Sequence, residues 1–311
     1  MITLAEIRAA EQRIAPHVRR TPLMTSAPMA EPPTRAELLL KLECLQITGS
    51  FNARGAINAL AQLAPEALAR GVVTASGGNH GLAVAHAARR LGAAAEVFVP
   101  ENASPEKVAR MRRMGAEVTI IGTAFEAARA AADARIAETG ASFVHPFADP
   151  RVATGQGTVA LELLDQEPAP DVVVIAVGGG GLVTGMAVAL DALSPATRIV
   201  GVEPVGAPTL HAALAAGRVV EVPVSTRVAT LGAGATDPVL LAQVAPLIDE
   251  VVLVTDEAML DAARWLWREM GLATDLSGAA ACAALRTGAV RCRRDDRVVA
   301  LVCGAGSDGL G

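Results

Sequence analysis

The run Asp171-Val-Val-Val-Ile-Ala-Val177 leads straight into four glycines, Gly178 to Gly181, and an apolar segment of helical period follows. A strand with no polar alternation needs cover on both faces, which a parallel sheet gets from helices packed above and below it. Similar short β-branched runs alternate along the chain with longer Ala/Leu/Arg stretches of helical spacing. They predict strands at Ala95–Val99, Glu117–Ile121, Asp171–Val177, Arg198–Glu203 and Val298–Cys303. Helices are expected at Leu4–Ile14, His80–Leu91, Pro105–Met114, Ala124–Glu138, Leu182–Ala192 and Asp256–Met270. The fold class this implies is α/β with mostly parallel strands.

Punctuation residues agree with these bounds. Ser104-Pro105 places a capping side chain before a first-turn proline, and Gly115 follows Met114 as a helix stop. The stretch from His145 to Pro150 carries two prolines and reads as a crossing between domains. No ~20–50-residue repeat occurs. The chain ends just after Cys303-Gly304-Ala305-Gly306, so no C-terminal regulatory domain is expected.

Composition excludes several kinds of partner. Of 311 residues, 52% are hydrophobic and 19% charged, enough for a sizeable core without disulfides. A net charge of −5 and only 2% aromatics, with no tyrosine, argue against nucleic acid and against an anionic membrane. Cys44, Cys282, Cys292 and Cys303 show no Cys-x-x-Cys spacing, which argues against a zinc site or a disulfide framework. The N-terminus reads as an amphipathic helix rather than a signal peptide, and no uncharged run reaches the ~18 residues of a membrane span. A cytoplasmic location is expected.

Three segments carry chemistry. Gly178, Gly179, Gly180 and Gly181, followed by Leu182, let backbone N–H groups converge on one anion at a helix N-terminus. That makes a phosphate cup, and the spacing is not that of a dinucleotide fingerprint. The bland alternative is a tight turn, which needs fewer glycines. Ser76-Gly77-Gly78-Asn79-His80-Gly81 precedes a helix and reads either as a cap or as a loop that a ligand approaches closely. Val299 to Cys303 ends a buried strand on a small polar side chain before Gly304; a plain core cysteine is the alternative for Cys303.

A fourth segment, Lys41 to Ala56 (KLECLQITGSFNARGA), ties these together. With the glycine cup, the asparagine loop and the Cys303 strand end in the same order, it resembles the serine/threonine dehydratase family of fold-type II pyridoxal-phosphate (PLP) enzymes. The resemblance covers roughly residues 5 to 308. Gly155-Gln156-Gly157-Thr158 and Gly201-Val202-Glu203-Pro204 add to it. It implies a tryptophan-synthase-β-like architecture of two open, twisted, mostly parallel sheets flanked by helices. Residues 1–69 and 151–311 would form the large PLP-binding domain, with a small domain, 70–150, inserted in it.

The family roles fall on particular residues. Phe51 would pack on the cofactor ring, Asn79 would contact its phenolic oxygen, and Cys303 would face the pyridine nitrogen. The phosphate would sit on Gly178–Gly181 and Leu182. Ser76, Gly77, Asn79 and His80 would hold the substrate carboxylate, with Ser76 also a catalytic candidate. A cation at Glu203 is doubtful, because the position six residues on, a carboxylate in cation-binding members, is Thr209; a structural surface carboxylate is the better reading.

Three departures matter. Family racemases usually have a serine at the position of Gly77, so elimination is preferred over racemisation. Asp275 replaces a glutamate, which leaves the substrate open. Above all, the family's Schiff-base lysine is Asn52 here, and an amide can neither form that bond nor act as a base near neutral pH. The chain has two lysines, Lys41 and Lys107, and both match other family lysines, so no substitute is expected. The expected activity is PLP-dependent deamination of threonine or serine to a 2-oxo acid by a homodimer, inactivated at position 52 by an introduced or a natural change. The alternatives are a naturally non-catalytic binder of PLP and amino acids, a related PLP lyase for another β-substituted amino acid and, more distantly, a nucleotide-binding α/β protein.

Overall fold

The structure, a computed structural model, describes residues 1–310 except Ala27, Asn102 and Ala124, and only the backbone of Phe125. Two sheets organise it. The larger has the order β1-β2-β10-β7-β8-β9. Its strands are β1 (Leu23–Thr25), β2 (Glu37–Lys41), β7 (Val172–Ala176), β8 (Arg198–Pro204), β9 (Glu250–Val254) and β10 (Arg297–Leu301). All neighbours are parallel except the edge hairpin β1–β2. The smaller sheet, β5-β4-β3-β6, is parallel throughout. It is built from β3 (Val72–Ala75), β4 (Ala95–Val99), β5 (Glu117–Ile120) and β6 (Ser142–Phe143).

Helices make the crossovers: α1 (Leu4–Ile14), α2 (Asn52–Leu60), α3 (Pro65–Ala69), α4 (Asn79–Leu91), α5 (Pro105–Arg113) and α6 (Phe125–Thr139). They continue with α7 (Pro150–Gln166), α8 (Gly181–Leu193), α9 (Thr209–Ala216), α10 (Pro238–Val244), α11 (Asp256–Met270) and α12 (Leu276–Arg286). Their starts follow from local chemistry. Thr3 and Glu6 form a reciprocal capping box at α1, while Ser104, Asp149 and Asp237 each cap a helix that opens on proline. Each such cap contributes about 1 kcal/mol.

Both faces of the central strands are buried, as their unbroken apolar runs require. Leu38–Leu40, Val172–Val177 and Val298–Val302 share one core with Leu163, Met186, Leu190, Trp265 and Leu266. In the smaller sheet the period-two rule separates two layers. Val72, Val97 and Val99 meet Leu82 and Met111, whereas Val73, Ala75 and Phe98 meet Ala128 and Ala132 of α6. The sequence-based bounds agree within a residue or two, and the expected start of α6, Ala124, lies outside the described residues.

One long helix was not expected. α7 spans 17 residues directly after the proline-rich crossing. Its Thr154-Gly155-Gln156-Gly157-Thr158 centre has poor intrinsic helix propensity. Tertiary packing overrides that. A Cβ on Gly155 would lie 2.6 Å from the Gly55 Cα, so the glycine pair lets α7 cross α2 at backbone contact.

Candidate active site

In the larger sheet the neighbouring strands β2, β10 and β7 are parallel, so their C-terminal ends lie side by side. Ligands of open α/β sheets collect outside such ends. Here β2 leads into the segment carrying Phe51 and Asn52, β10 into Cys303-Gly304, and β7 into the glycine run. Main-chain bonds join the first two: Phe51 N–H donates to the Cys303 carbonyl at 3.3 Å, and Ala305 N–H to that of Gly49 at 2.7 Å. Gly304 also accepts from Asp275 N–H at 3.2 Å, so the β10 end is a common floor.

Asn52 opens α2 and is 8% exposed. Its Oδ1 accepts from the Ser50 hydroxyl at 3.0 Å. Every residue of α2 is buried, and Arg54 anchors it. Arg54 makes a two-pronged bond to Glu43, at 2.8 and 2.7 Å, and reaches Glu162 at 3.0 Å. Glu162 in turn takes Lys41 Nζ at 2.6 Å. Burial pushes the Glu162 carboxyl up, but Arg54 and Lys41 hold it below its ordinary value. Lys41 also donates to the Thr21 carbonyl and to Gln166, so its amine is wholly consumed inside the core.

The glycine run forms the entrance to α8. Gly180 adopts φ +98°, and Thr236 donates its hydroxyl to the Gly179 carbonyl at 3.0 Å. First-turn N–H groups of α8 have no intrahelical acceptor, and they face the end of β7 with the helix dipole behind them. The Thr184 hydroxyl, buried in the same turn, has no hydrogen-bond partner among the described residues. Part of the glycine requirement has another origin. A Cβ on Gly179 would sit 2.2 Å from the Phe147 ring, and one on Gly181 3.1 Å from the Phe147 main chain. Phe147, from the crossing segment, therefore packs directly against the cup.

The smaller sheet contributes the asparagine loop from the end of β3. Gly78 is the N-cap of α4 and provides no side-chain cap, so the first-turn N–H groups of α4 are also open. Ser76 Oγ accepts weakly from Gly78 N–H at 3.3 Å. Gly77 is enclosed: a Cβ there would lie 2.6 Å from the Ala103 Cβ. His80 is buried, with Nε2 3.1 Å from the Val144 carbonyl, and burial lowers its pKa to about 4. It is a neutral imidazole held through Nε2, and its Nδ1 has no hydrogen-bond partner among the described residues.

Asn79 connects the two sheets. Its Nδ2 donates to Asp275 Oδ2 at 2.8 Å, and its Oδ1 accepts from Lys107 Nζ at 2.9 Å. The sequence reading puts Lys107 in a separate helix, as a lysine that does not substitute for an amine at position 52. It does come from α5, and the first turn of that helix brings its amine to the Asn79 carboxamide. Sequence spacing held no signal for this, since residues 79, 107 and 275 meet only through the tertiary fold.

Cys303 is 2% exposed and its thiol points to the Ser277 carbonyl at 3.3 Å. Burial, with Asp275 nearby, raises its pKa, so it stays a neutral thiol. Glu203 corrects the sequence reading. It is fully buried rather than at the surface, and its oxygens accept from the N–H groups of Leu210 and His211 at 2.7 and 2.9 Å. Thr209 turns its hydroxyl to the Ala233 carbonyl at 2.5 Å. Among the described residues no group of three or more His, Cys, Asp or Glu side chains could hold a metal. The donor set at Glu203 does not suit a cation.

The residues fit a phosphate-bearing ring cofactor in all respects but one: the cup, Asn79 and Cys303 converge, while position 52 offers an amide. Such a cup at the C-terminal end of a central parallel strand, with a glycine-asparagine loop from a second sheet, is the arrangement of the fold-type II pyridoxal-phosphate enzymes. The chain belongs to the pyridoxal-phosphate dependent enzyme family, which it matches over residues 14–304. Its relatives include the L-threonine ammonia-lyase of Geobacter sulfurreducens, 41% identical over 92% of this chain and 71% of that one. The structure of maize serine racemase superposes with a TM-score of 0.92 at 34% identity, covering 98% of this chain and 93% of that one. The threonine deaminase of T.th. gives a TM-score of 0.89 at 38% identity, covering 98% of both. PLP is the cofactor of this family.

Proposed function

We propose that the chain is a PLP-dependent ammonia-lyase scaffold for a β-hydroxy amino acid, threonine or serine, whose catalytic amine is missing at position 52. The site would be shared by a large domain of residues 1–69 and 151–311 and a small domain of 70–150, in a cytoplasmic homodimer. No described helix is long and apolar enough to cross a membrane.

Lyases and racemases are both among the relatives, and Gly77 carries the choice between them. A racemase needs a second proton-transfer group on the opposite substrate face. Gly77 has no side chain, and the 2.6 Å approach of Ala103 leaves no room for one without a shift. Bound at this site, PLP supplies the electron sink that acidifies the Cα–H bond of an amino acid. The residues of the chain supply the rest. Amides of Gly178–Gly181 and Leu182 hold the phosphate, and the Phe51 ring packs on the cofactor. Amides of Gly77, Asn79 and His80, with Ser76, hold the substrate carboxylate. The neutral Cys303 thiol cannot keep a ring nitrogen protonated as a carboxylate would, which favours elimination over chemistry needing a long-lived carbanion.

A non-catalytic binder is the second reading, favoured by the settled Asn52–Ser50 hydrogen bond. The test is a PLP titration followed by parallel assay of 2-oxo acid and inverted amino acid from L-serine, in this chain and in Asn52→Lys. The lyase reading expects 2-oxo acid in excess from Asn52→Lys. Inverted serine in excess would refute it, and PLP binding with no product from either protein would favour the binder.

A further inference from the structure

Both ends of the Asn79 carboxamide are committed to charged partners: Nδ2 to Asp275 and Oδ1 to Lys107. Lys107 Nζ also stands 3.7 Å from Asp275 Oδ2, and its side chain is 18% exposed. Asp275 is itself held, because its Oδ1 accepts from the Ser277 hydroxyl and Gly278 N–H, each at 2.7 Å. It caps α12 and cannot swing away without uncapping that helix. Turning the amide over would set its NH2 against an ammonium and its oxygen against a carboxylate. The two charges therefore permit one orientation.

Crowding reinforces this. A Cβ on Gly304 would lie 3.0 Å from Asn79 Nδ2 and 2.7 Å from Asp275 Oδ1, so the amide rests directly on the β10 floor. Lys107 and Asn79 come from helices of the smaller sheet, while Asp275 precedes a helix of the larger one. The cluster is thus also a polar bridge between the two sheets beside the cup.

Resting on the cofactor reading above, we propose that Lys107 is a positioning residue of this site, which with Asp275 locks the Asn79 carboxamide in a single orientation toward the cofactor. Its amine acts through hydrogen bonding and is not the cofactor's covalent partner.

The test uses the full chain and PLP. Dissociation constants and the pH midpoint of the bound-PLP absorbance change are measured for the parent, Lys107→Met, Lys107→Arg, Asn79→Ala and the double variant Lys107→Met/Asn79→Ala. Lys107→Met is expected to weaken PLP about tenfold or more, the scale of one lost charge-assisted hydrogen bond. It should also move the spectral pH midpoint, which a purely structural role would leave in place, and Lys107→Arg should restore most of both. If Lys107 acts through Asn79, removing it from the Asn79→Ala background should cost little more. Additive losses in the double variant, or an unchanged midpoint in Lys107→Met, would overturn the proposal. So would a phosphopyridoxyl adduct on Lys107 after borohydride reduction. A parent that binds no PLP fails the cofactor reading itself and takes this inference with it; that result is read first and is distinct.

Discussion

Replacing Asn52 by lysine should restore chemistry at a modest cost in stability. The side chain is 8% exposed and loses one hydrogen bond from Ser50, worth about 1 kcal/mol. An ammonium at the first residue of α2 also opposes the helix dipole, by ~0.3–1 kcal/mol. Apo Asn52→Lys should therefore unfold roughly 1–2 kcal/mol more easily, a few degrees in Tm for a chain of this size. The same two effects, burial and the positive helix end, favour the neutral amine, the form that can act as a base near pH 7. General-base catalysis alone supplies ~10²–10⁴-fold, and covalent participation adds to it. Release of 2-oxo acid from threonine or serine, followed with a coupled assay, should rise by at least about a hundredfold. A new visible-region absorbance should develop with PLP. Asn52→Lys that stays folded, yet shows neither the absorbance nor turnover across a panel of β-hydroxy amino acids, would refute the reasoning.

Three further outcomes are expected. Gly180→Ala places a Cβ at φ +98° and 3.1 Å from the Thr236 hydroxyl, and PLP affinity measured by titration should drop; Gly179 is a poorer probe because Phe147 alone would oppose any side chain there. Arg54→Met leaves Glu43 and Glu162 buried with too little positive charge, a change that costs about 3–5 kcal/mol and should appear as a large fall in Tm. Burial raises the Glu203 pKa to about 7, against its backbone donors, so the folded state holds a proton that the unfolded chain releases above its ordinary range. That stabilisation is full below pH ~4.5 and is lost as pH rises through about 7, so the Tm advantage of the parent over Glu203→Gln should be largest near pH 5 and narrow by pH 8.

Much of the fold was legible because its strands are short, apolar and punctuated. Val172–Val177 and its glycines could be little else, and the capped helices α1, α5 and α11 fell within a residue of their expected bounds. α7 was hidden because its glycines serve a helix crossing that only the folded chain reveals. The site divides the same way. The cup, the asparagine loop and Cys303 are local signatures, each confined to a few residues. Lys107 and Phe147 are site neighbours by tertiary contact alone, and the depth of Glu203 depends on what packs over β8.

The four-charge knot of Lys41, Glu43, Arg54 and Glu162 has a consequence for descent. It fastens the helix that bears position 52 to the sheet and to α7 without calling on the side chain at 52 itself. Foldability and reactivity are therefore encoded by separate residues. The residue at position 52 can change by a single codon while the charge knot that anchors its helix stays in place. The same separation means that an amine placed at position 52 would meet a platform whose anchoring charges do not depend on the residue there.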